Sequence, residues 1–469
     1  MFNTDENSPE SVVPSVADAH KLGSGRMTRV IVAILVMLFL IGLVALFLLS
    51  KNPPESGKEA ARAGNSNVEQ PQGLIDPTLG QDLDRRYANG KTRKDWEFRL
   101  PGEQIFGFQT NASKRLALLT SEKRIYLYHY QDAKIGAELW NAPRELSTSC
   151  WIWNQGVACS DRFIDKAGRD HKWEDYLGIA EESQLLRVQF VGNTDPLDLY
   201  FVQESSDVLN IYRAQEGKLV ASGARKLQMI TKDRENIPFL AASGSHVATQ
   251  ETTPDEAGEG YQTNAVFGDL QPSGTEMTEL SRLALPPGGG FITPLQDGFY
   301  IRWDDVDESG NKSKVGVVTD FRGIVKKQFV AEDGTPVPEI VGRITTSDQN
   351  TLINASRSAA KVNCKNVNVL VSGNNYLLTQ TTKDTLQIPL IGEKCPSVQS
   401  PLSASEVWWY PTANGKIAMN TNLFVSLKTG EYVAPVDSAD ERKTQMIVSE
   451  GVLYLVRGET LTRWLPSEH

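Results

Sequence analysis

The residue types most suited to chemistry lie in a short acidic segment, residues 304–310. Asp305, Asp307 and Ser309 occupy the first, third and fifth positions of a possible calcium loop, where Ca²⁺ takes oxygen ligands. The twelfth position is Gly316, although a calcium loop needs a bidentate glutamate there. The sequence therefore favours an acidic hairpin tip, with a metal site as the alternative, and we expect no resident metal or cofactor.

No catalytic residue is assigned from motifs. The Gly-rich run at residues 286–290 lacks the Gly-Lys-Ser/Thr that holds phosphate, and the chain has no Gly-x-Ser-x-Gly elbow. The five histidines are too far apart in sequence to build a local metal motif. Because catalytic groups can assemble in space, the question of an enzyme stays open, and the sequence favours a protein that is not one.

Four cysteines, Cys150, Cys159, Cys364 and Cys395, form two pairs that are close in sequence. An even number of cysteines in an exported domain favours disulfides. We take Cys150–Cys159 and Cys364–Cys395 as the working pairing, since four cysteines allow three connectivities. The alternative is four free thiols in a cytosolic domain.

Aromatic residues give two candidate interface positions. Trp151 and Trp153 share one face of a strand because side chains alternate, and Trp408 and Tyr410 do the same. Exposed, these side chains would form a contact site for a partner. The alternative, which the sequence favours, is that they are buried between neighbouring sheets.

Residues 235–281 contain eight acidic residues and neither Lys nor Arg. Such a segment is either a solvated surface loop or an acidic face that attracts a basic partner or a cation. The whole chain has a formal net charge of -10. We therefore expect no nucleic-acid partner.

Residues 30–50 are an uncharged apolar run. As a helix they would be roughly 31 Å long, which matches the hydrocarbon core of a bilayer. The run is longer than the core of a signal peptide, so we predict an uncleaved membrane anchor. Basic residues flank it evenly. All four cysteines follow the apolar run, and disulfides form outside the cytoplasm. We therefore predict a cytoplasmic tail (1–29), an extended linker (51–93) and an extracytoplasmic domain (94–469).

From residue 94 onward, short alternating or apolar runs are divided by Gly, Asn and Asp, which predicts an all-β domain with few helices. Several hairpins recur with a Gly at the turn, as in residues 151–159, 291–303 and 446–455. We expect each of these glycines to supply the positive φ that a tight hairpin needs. We expect the strand near residues 96–100 to pair with residues 452–464 and close a ring. The alternative is two β-sandwiches in tandem.

A second hairpin form carries Glu216-Gly217-Lys218 and Lys428-Thr429-Gly430-Glu431. It resembles the repeats of degenerate pyrroloquinoline-quinone-like β-propellers, here in a single-pass bacterial envelope protein. The resemblance implies a propeller of six to eight blades, most simply seven or eight, after one transmembrane helix.

These features favour a non-enzymatic scaffold or docking subunit of an envelope membrane complex, with other membrane or envelope proteins as its partners. The alternatives are an envelope glycan hydrolase with carboxylates in the central channel and a ligand-binding sensor.

The cysteine hypothesis predicts a specific peptide map. Digestion without reductant should release Cys150 linked to Cys159 and Cys364 linked to Cys395, as measured by mass spectrometry of the exported chain. Four alkylated thiols in the unreduced digest would overturn both the pairing and the orientation that rests on it.

Overall fold

The computed structural model describes residues 83–145, 148–178, 185–191, 198–205, 208–226, 240–254, 261–272, 276–286, 288–306, 312–331, 336–340, 349–361, 367–382, 385–387, 397–399, 410–412, 417–419, 424–428 and 444–467. All of them belong to one compact unit, Asn67–His469. The tail, the apolar run at residues 30–50 and residues 51–82 of the linker lie outside this description. Within it, no helix has the length and apolar character needed to cross a bilayer.

Short strands make up nearly all of the secondary structure. The first blades contain β1 (Thr92–Arg99), β2 (Ile105–Asn111), β3 (Leu116–Ser121), β4 (Arg124–Gln131), β5 (Lys134–Pro143), β6 (Cys150–Trp153), β7 (Gly156–Cys159), β8 (Arg162–Asp165), β9 (Asp170–Lys172), β10 (Leu185–Val191), β11 (Asp198–Ser205), β12 (Val208–Gln215) and β13 (Lys218–Lys226).

The next two sheets contain β14 (Leu240–Ser243), β15 (His246–Pro254), β16 (Tyr261–Asp269), β17 (Thr278–Leu285), β18 (Phe291–Pro294), β19 (Gly298–Val306), β20 (Lys312–Asp320) and β21 (Val325–Val330). The last part of the chain contributes β22 (Pro338–Ile340), β23 (Asn368–Ser372), β24 (Asn375–Thr382), β25 (Thr385–Gln387), β26 (Ser397–Gln399), β27 (Tyr410–Thr412), β28 (Ile417–Met419), β29 (Phe424–Ser426), β30 (Thr444–Ser449), β31 (Val452–Arg457) and β32 (Thr460–Pro466).

The strands form a β-propeller, as the sequence predicts. Blades one to five are β2–β5, β6–β9, β10–β13, β14–β17 and β18–β21, each with four antiparallel strands in chain order. A five-stranded sheet, β22–β26, makes the sixth blade, and the closing sheet has the order β1-β32-β31-β30. Three more strands, β27–β29, form a smaller sheet between these two. The structure thus has seven blades of four or five strands, within the predicted range.

In blades one to five the first strand is the innermost, because β2 contacts β6 and β30 while β14 contacts β18. In the closing sheet β30 is the innermost strand and β1 the outermost. We call the face at which these first strands begin the upper face, and the opposite face the lower face. Successive strands are antiparallel, so each turn between a second and a third strand lies on the upper face. Each turn between a first and a second strand lies on the lower face.

Apolar clusters fill the space between consecutive sheets. One cluster joins the first and second blades through Leu127 and Val157. Another joins the fourth and fifth blades through Phe267 and Phe299. Because both faces of each sheet are covered, the strands carry apolar residues on both sides, for example the fully buried β3. This explains why many runs lack strict alternation.

The turn glycines have two different roles. Gly217 and Gly451 have φ values of 80° and 78°, the left-handed conformation that two-residue hairpins need. Gly156 and Gly298 have no positive φ. A Cβ at Gly156 would collide with the carbonyl oxygen of Ile164 on the next strand, so close approach of the backbone requires glycine there. The prediction that Gly supplies a positive φ at each of these turns is therefore wrong for the hairpins at 151–159 and 291–303.

The ring closes by pairing of the first strand with the last, as predicted. β1 is antiparallel to β32, with Trp96 opposite Arg463 and Phe98 opposite Leu461. Arg463 also bonds Asp95 on β1 at 2.6 Å. Two segments separated by more than 360 positions thus complete one sheet.

The folded domain begins before residue 94, so the predicted linker boundary is too late. A 3-10 helix, Arg85–Asn89, precedes β1. Leu83 and Tyr87 are 1% and 0% exposed and pack against Phe424 and Leu453. The Tyr87 hydroxyl donates to the carbonyl oxygen of Trp464 at 2.5 Å and accepts from the N–H of Leu453 at 3.2 Å. This segment therefore braces the closing sheet.

The described residues contain two α-helices, α1 (Trp173–Leu177) and α2 (Gln349–Lys361). The sequence predicts few helices, and it missed α2. Leu352, Ala355 and Ala359 lie on one buried face of α2 and pack between the fifth and sixth blades. The helix connects β22 to β23, which are parallel and therefore need such a crossover.

Removing the Tyr87 hydroxyl tests whether this segment stabilises the closing sheet. Tyr87→Phe should lower the free energy of unfolding by about 1–2 kcal/mol, because two buried backbone groups lose a partner. Burial raises the pKa of Tyr87 from 10 to about 12, although the Leu453 N–H works against this shift. In the wild type, Tyr87 contributes to the free energy of unfolding below pH 10, and this contribution is lost as the pH rises toward 12. Over that range the stability of Tyr87→Phe should therefore fall less than that of the wild type.

Urea unfolding at pH 7 and at intervals up to pH 11, followed by tryptophan fluorescence, measures both effects. Tyr261→Phe is the control, since Tyr261 is 60% exposed. Equal stability of Tyr87→Phe and wild type at pH 7 would show that the hydroxyl does not brace the closing sheet.

Candidate docking face

The tryptophans predicted as interface candidates are buried where the structure describes them. Trp151 and Trp153 are 5% and 1% exposed and belong to the cluster between the second and third blades. The Trp153 ring lies 5.8 Å from the rings of Phe163 and Trp173. Both indoles therefore serve packing between blades, which was the alternative interpretation, and neither offers a surface to a partner.

The second pair of aromatic candidates has a different outcome. Trp408 lies outside the described residues. Tyr410 begins β27, where its backbone lies opposite Met419. The prediction that this pair contacts a partner stays a prediction.

Cys150 and Cys159 form a disulfide, in agreement with the predicted pairing. They lie directly opposite each other on β6 and β7, with Cα atoms 4.1 Å apart and sulfur atoms 2.12 Å apart. Cys159 is fully buried, and its carbonyl oxygen accepts from the Trp173 indole N–H at 2.9 Å. Cys364 and Cys395 lie outside the described residues, so their pairing stays a prediction.

The possible calcium loop is only partly described. Asp305 is an exposed residue near the end of β19, opposite Ser313, while Asp307 and Ser309 lie outside the described residues. In the described part of the chain, no three His, Cys, Asp or Glu side chains are placed to hold a metal ion. The hairpin that the sequence favours is present as β19 and β20.

Three acids of the stretch at residues 235–281 bond neighbouring basic side chains. Glu251 is only 6% exposed, and it bonds Arg225 of the third blade at 2.5 Å and Arg282 at 2.9 Å. Glu279 bonds Arg282 at 2.7 Å, and Asp269 bonds His246 at 2.6 Å. These acids therefore join strands and blades, and they do not form a free acidic face.

Other carboxylates with shifted pKa values also have structural partners. Burial opposes ionisation of Asp165, yet bonds from the Arg169 backbone, the His171 ring and the Arg169 guanidinium lower its pKa to about 2. Burial raises the pKa of Asp198 in spite of its ion pair with Arg213, whose N–O distance is 3.0 Å. Each of these two acids is thus engaged within its own blade.

Exposed aromatic side chains occur on the upper face of the fourth and fifth blades. Phe291 and Tyr261 are 69% and 60% exposed, the two highest values for large apolar side chains in the described part of the chain. Tyr261 begins the third strand of the fourth blade, and Phe291 begins the first strand of the fifth. Both positions are at the upper face. We call Tyr261 and Phe291, with Asp304 and Asp305, the docking face.

The strands beneath hold these side chains in place. Phe291 lies opposite Arg302 on β19, whose guanidinium carbon is 5.8 Å from the centre of the Phe291 ring. Arg302 also bonds Glu339 of the sixth blade at 2.7 Å. On the other side of β18, Ile292 is 1% exposed and packs in the cluster between the fourth and fifth blades. Phe291 is thus an exposed ring on a rigid, buried strand.

A side chain of the fourth blade fixes the chain just before Phe291. The Gln250 amide donates to the carbonyl oxygen of Gly290. Asp304 and Asp305, near the end of β19, are both exposed. The docking face therefore combines exposed rings with carboxylates on a rigid support.

The sequence analysis did not identify Phe291 or Tyr261 as functional candidates. Alternation along β18 does place Phe291 opposite in direction to Ile292. Alternation does not show which of these two side chains is buried, because burial depends on the neighbouring blade. No local pattern separates the exposed Phe291 from the fully buried Phe299.

No protein-family model matches the chain, and no curated protein matches it in sequence. Among solved structures, similarity is found to a eukaryotic initiation factor, at 8% identity over 79% of this chain and 93% of that chain, with a TM-score of 0.38.

The N-terminal domain of Nup159 is 12% identical over 82% of this chain and 95% of its own, with a TM-score of 0.31. BBS1N, solved in complex with ARL6DN, is 9% identical over 83% of this chain and 98% of its own, also with a TM-score of 0.31. These scores are too low to carry an argument. The assignment to the β-propeller class rests on the order and pairing of the strands.

Two alanine substitutions separate packing from exposed aromatics. Trp153→Ala should lower the free energy of unfolding by about 3–5 kcal/mol, because it opens a cavity between two blades. Phe291→Ala should change it by less than about 0.5 kcal/mol, since the ring is mostly exposed. Urea denaturation of the two variants measures the difference. A loss for Phe291→Ala as large as that for Trp153→Ala would mean that Phe291 serves the core.

Proposed function

We propose that the chain is a membrane-anchored, extracytoplasmic docking subunit of an envelope complex, and that the docking face receives the partner protein. The observation that carries this proposal is the exposure of Phe291 and Tyr261 on one face of two consecutive blades. Rigid aromatic side chains supply much of the binding energy at protein interfaces and lose little entropy on binding.

Asp304 and Asp305 of the docking face favour a basic partner, and so does the sequence of two segments that lie outside the described residues. The segment joining β15 to β16 (255–260) has three acids, and the segment joining β19 to β20 (307–311) has two. Neither segment has a Lys or Arg. Complementary charge speeds encounter and excludes wrong partners. The partner should therefore present basic residues around an apolar pocket.

The environment of the carboxylates supports docking more than glycan hydrolysis. A glycosidase needs a pair of carboxyl groups that converge on the substrate, one with a raised pKa. Asp198, whose pKa burial raises, is held by Arg213. Glu251 is buried between two arginines. The settings of these acids are those of structural ion pairs.

Membrane anchoring is the second part of the proposal, and it rests on the apolar run at residues 30–50. A tethered propeller meets membrane partners at a raised effective concentration, so that each contact can be weak. The scaffold function uses both features, an anchor and an exposed face on a rigid ring.

The test is recovery of partners from membranes. Affinity-tagged full-length chain is purified in mild detergent after cross-linking in cells, and the co-purifying proteins are quantified by mass spectrometry. The double variant Phe291→Ala, Tyr261→Ala should reduce specific partner recovery by at least tenfold, because two aromatic contacts of about 2 kcal/mol each would be lost.

The matched control is Ile324→Ala with Val325→Ala. These residues are 53% and 44% exposed. Ile324 lies in the turn between β20 and β21, and Val325 begins β21, so both are at the lower face of the fifth blade. Full recovery is expected for this control. If the wild-type chain is recovered as a lone monomer, or if both double variants recover the partner equally, the docking proposal is wrong.

A further inference from the structure

Basic side chains cluster on the lower face where the chain enters the ring. Five of them lie on the 3-10 helix, the link after it and the start of β1. Two lie on the turn between β2 and β3, and one at the start of β5. We call this set the basic patch; it consists of Arg85, Arg86, Lys91, Arg93, Lys94, Lys114, Arg115 and Lys134.

Hydrogen bonds bring these three segments together. The Asp84 N–H donates to the carbonyl oxygen of Gly451, at the turn between β30 and β31, at 2.9 Å. At the same turn, the Glu450 carboxylate accepts from the Ala112 N–H at 2.8 Å, which places the turn after β2 alongside. The Trp96 indole donates to Ala133 at 2.8 Å, which brings the start of β5 next to β1.

The charges in this region do not cancel. Arg86 pairs with Asp84, and Lys94 with Glu97. The other six basic side chains make no ion pair with any described residue; they are Arg85, Lys91, Arg93, Lys114, Arg115 and Lys134. In the part of the chain that the structure describes, the acids left nearby are the exposed Asp132 and Glu450, whose carboxylate bonds Thr110 and Ala112.

A chain with a net charge of -10 thus has a local excess of positive charge on one face. We propose that the basic patch binds the anionic surface of a lipid bilayer. The patch includes the first residues of the folded domain, and the predicted membrane helix at residues 30–50 precedes them in the same chain. This inference rests on the membrane anchor of the proposed function.

The chemistry of the patch indicates contact with lipid headgroups, without insertion. The exposed large apolar side chains of the described residues include none from these three segments. Binding should therefore be electrostatic, and it should weaken as salt screens the charges. The docking face lies on the upper face, so the two surfaces do not compete for the same strand ends.

The experiment uses residues 67–469, which form one compact unit with a closed ring and its own apolar clusters. This fragment is sedimented with vesicles of phosphatidylcholine alone and of phosphatidylcholine with phosphatidylglycerol. Binding is expected only to the acidic vesicles, and it should fall steeply between 50 mM and 500 mM salt. The triple variant Lys91→Glu, Lys114→Glu, Lys134→Glu should partition about 100-fold more weakly, since each basic residue near an acidic bilayer contributes a factor of about five.

The matched control reverses three exposed lysines at the upper face, Lys123→Glu, Lys172→Glu and Lys314→Glu. It has the same net charge as the patch variant and should bind within about twofold of wild type. If both triple variants lost vesicle binding equally, the loss would be due to the overall charge of the protein, and the proposal would be overturned. Binding of soluble polyglutamate at the patch without binding to acidic vesicles would assign it to an acidic protein instead.

Failure of this inference can be told apart from failure of the docking function. Partner recovery in detergent, where no bilayer is present, should be unchanged in the full-length patch variant. Loss of partner recovery there would show that the patch contacts the partner, and would overturn the lipid proposal.

Discussion

The antiparallel pairing of β1 with β32 is the contact on which the rest of the structure depends. Each sheet of the ring buries both faces against its neighbours, and an open ring would leave two apolar sheet faces and their edges exposed to solvent. Closure joins the two ends of the domain, with Phe98 opposite Leu461, and Tyr87 fixes the segment that precedes it. The apolar clusters between blades become complete only when this last sheet is formed.

Closure also determines where function can reside. Because the sheets bury their apolar faces against one another, the aromatic residues at blade interfaces, such as Trp153 and Trp173, are committed to packing. Buried charges are committed as well, as in the Arg225–Glu251 pair between the third and fourth blades. The surfaces left for partners are strand ends and turns, and Phe291 and the basic patch both lie there. The proposed docking face and the proposed lipid-binding patch thus lie on opposite faces of the ring.

The fold was largely predictable, and the candidate sites were not. Short apolar runs and turn glycines predict an all-β domain because those features are local. The resemblance of the hairpins to propeller repeats implies the ring, and the closing strand pair follows because a ring must join its ends. The boundary at residue 94 was wrong because Leu83 and Tyr87 pack against residues more than 300 positions away in the chain. Helix α2 was missed because its buried face consists mostly of small residues. The basic patch was overlooked because it joins three segments that are separate in the chain.

The sequence by itself determined the all-β class of the domain and predicted the strand pair that closes the ring, since these depend on residue types and on chain ends. It offered Cys150–Cys159 as one of three possible connectivities, and the structure decided that pairing. Only the tertiary structure decided which aromatic residues are exposed. Phe291 and Phe299 lie on strands of the same hairpin, yet one is 69% exposed and the other fully buried. The physical reason is that burial in a propeller is decided by the neighbouring blade and by position along the strand, and a residue's own neighbours in sequence encode neither.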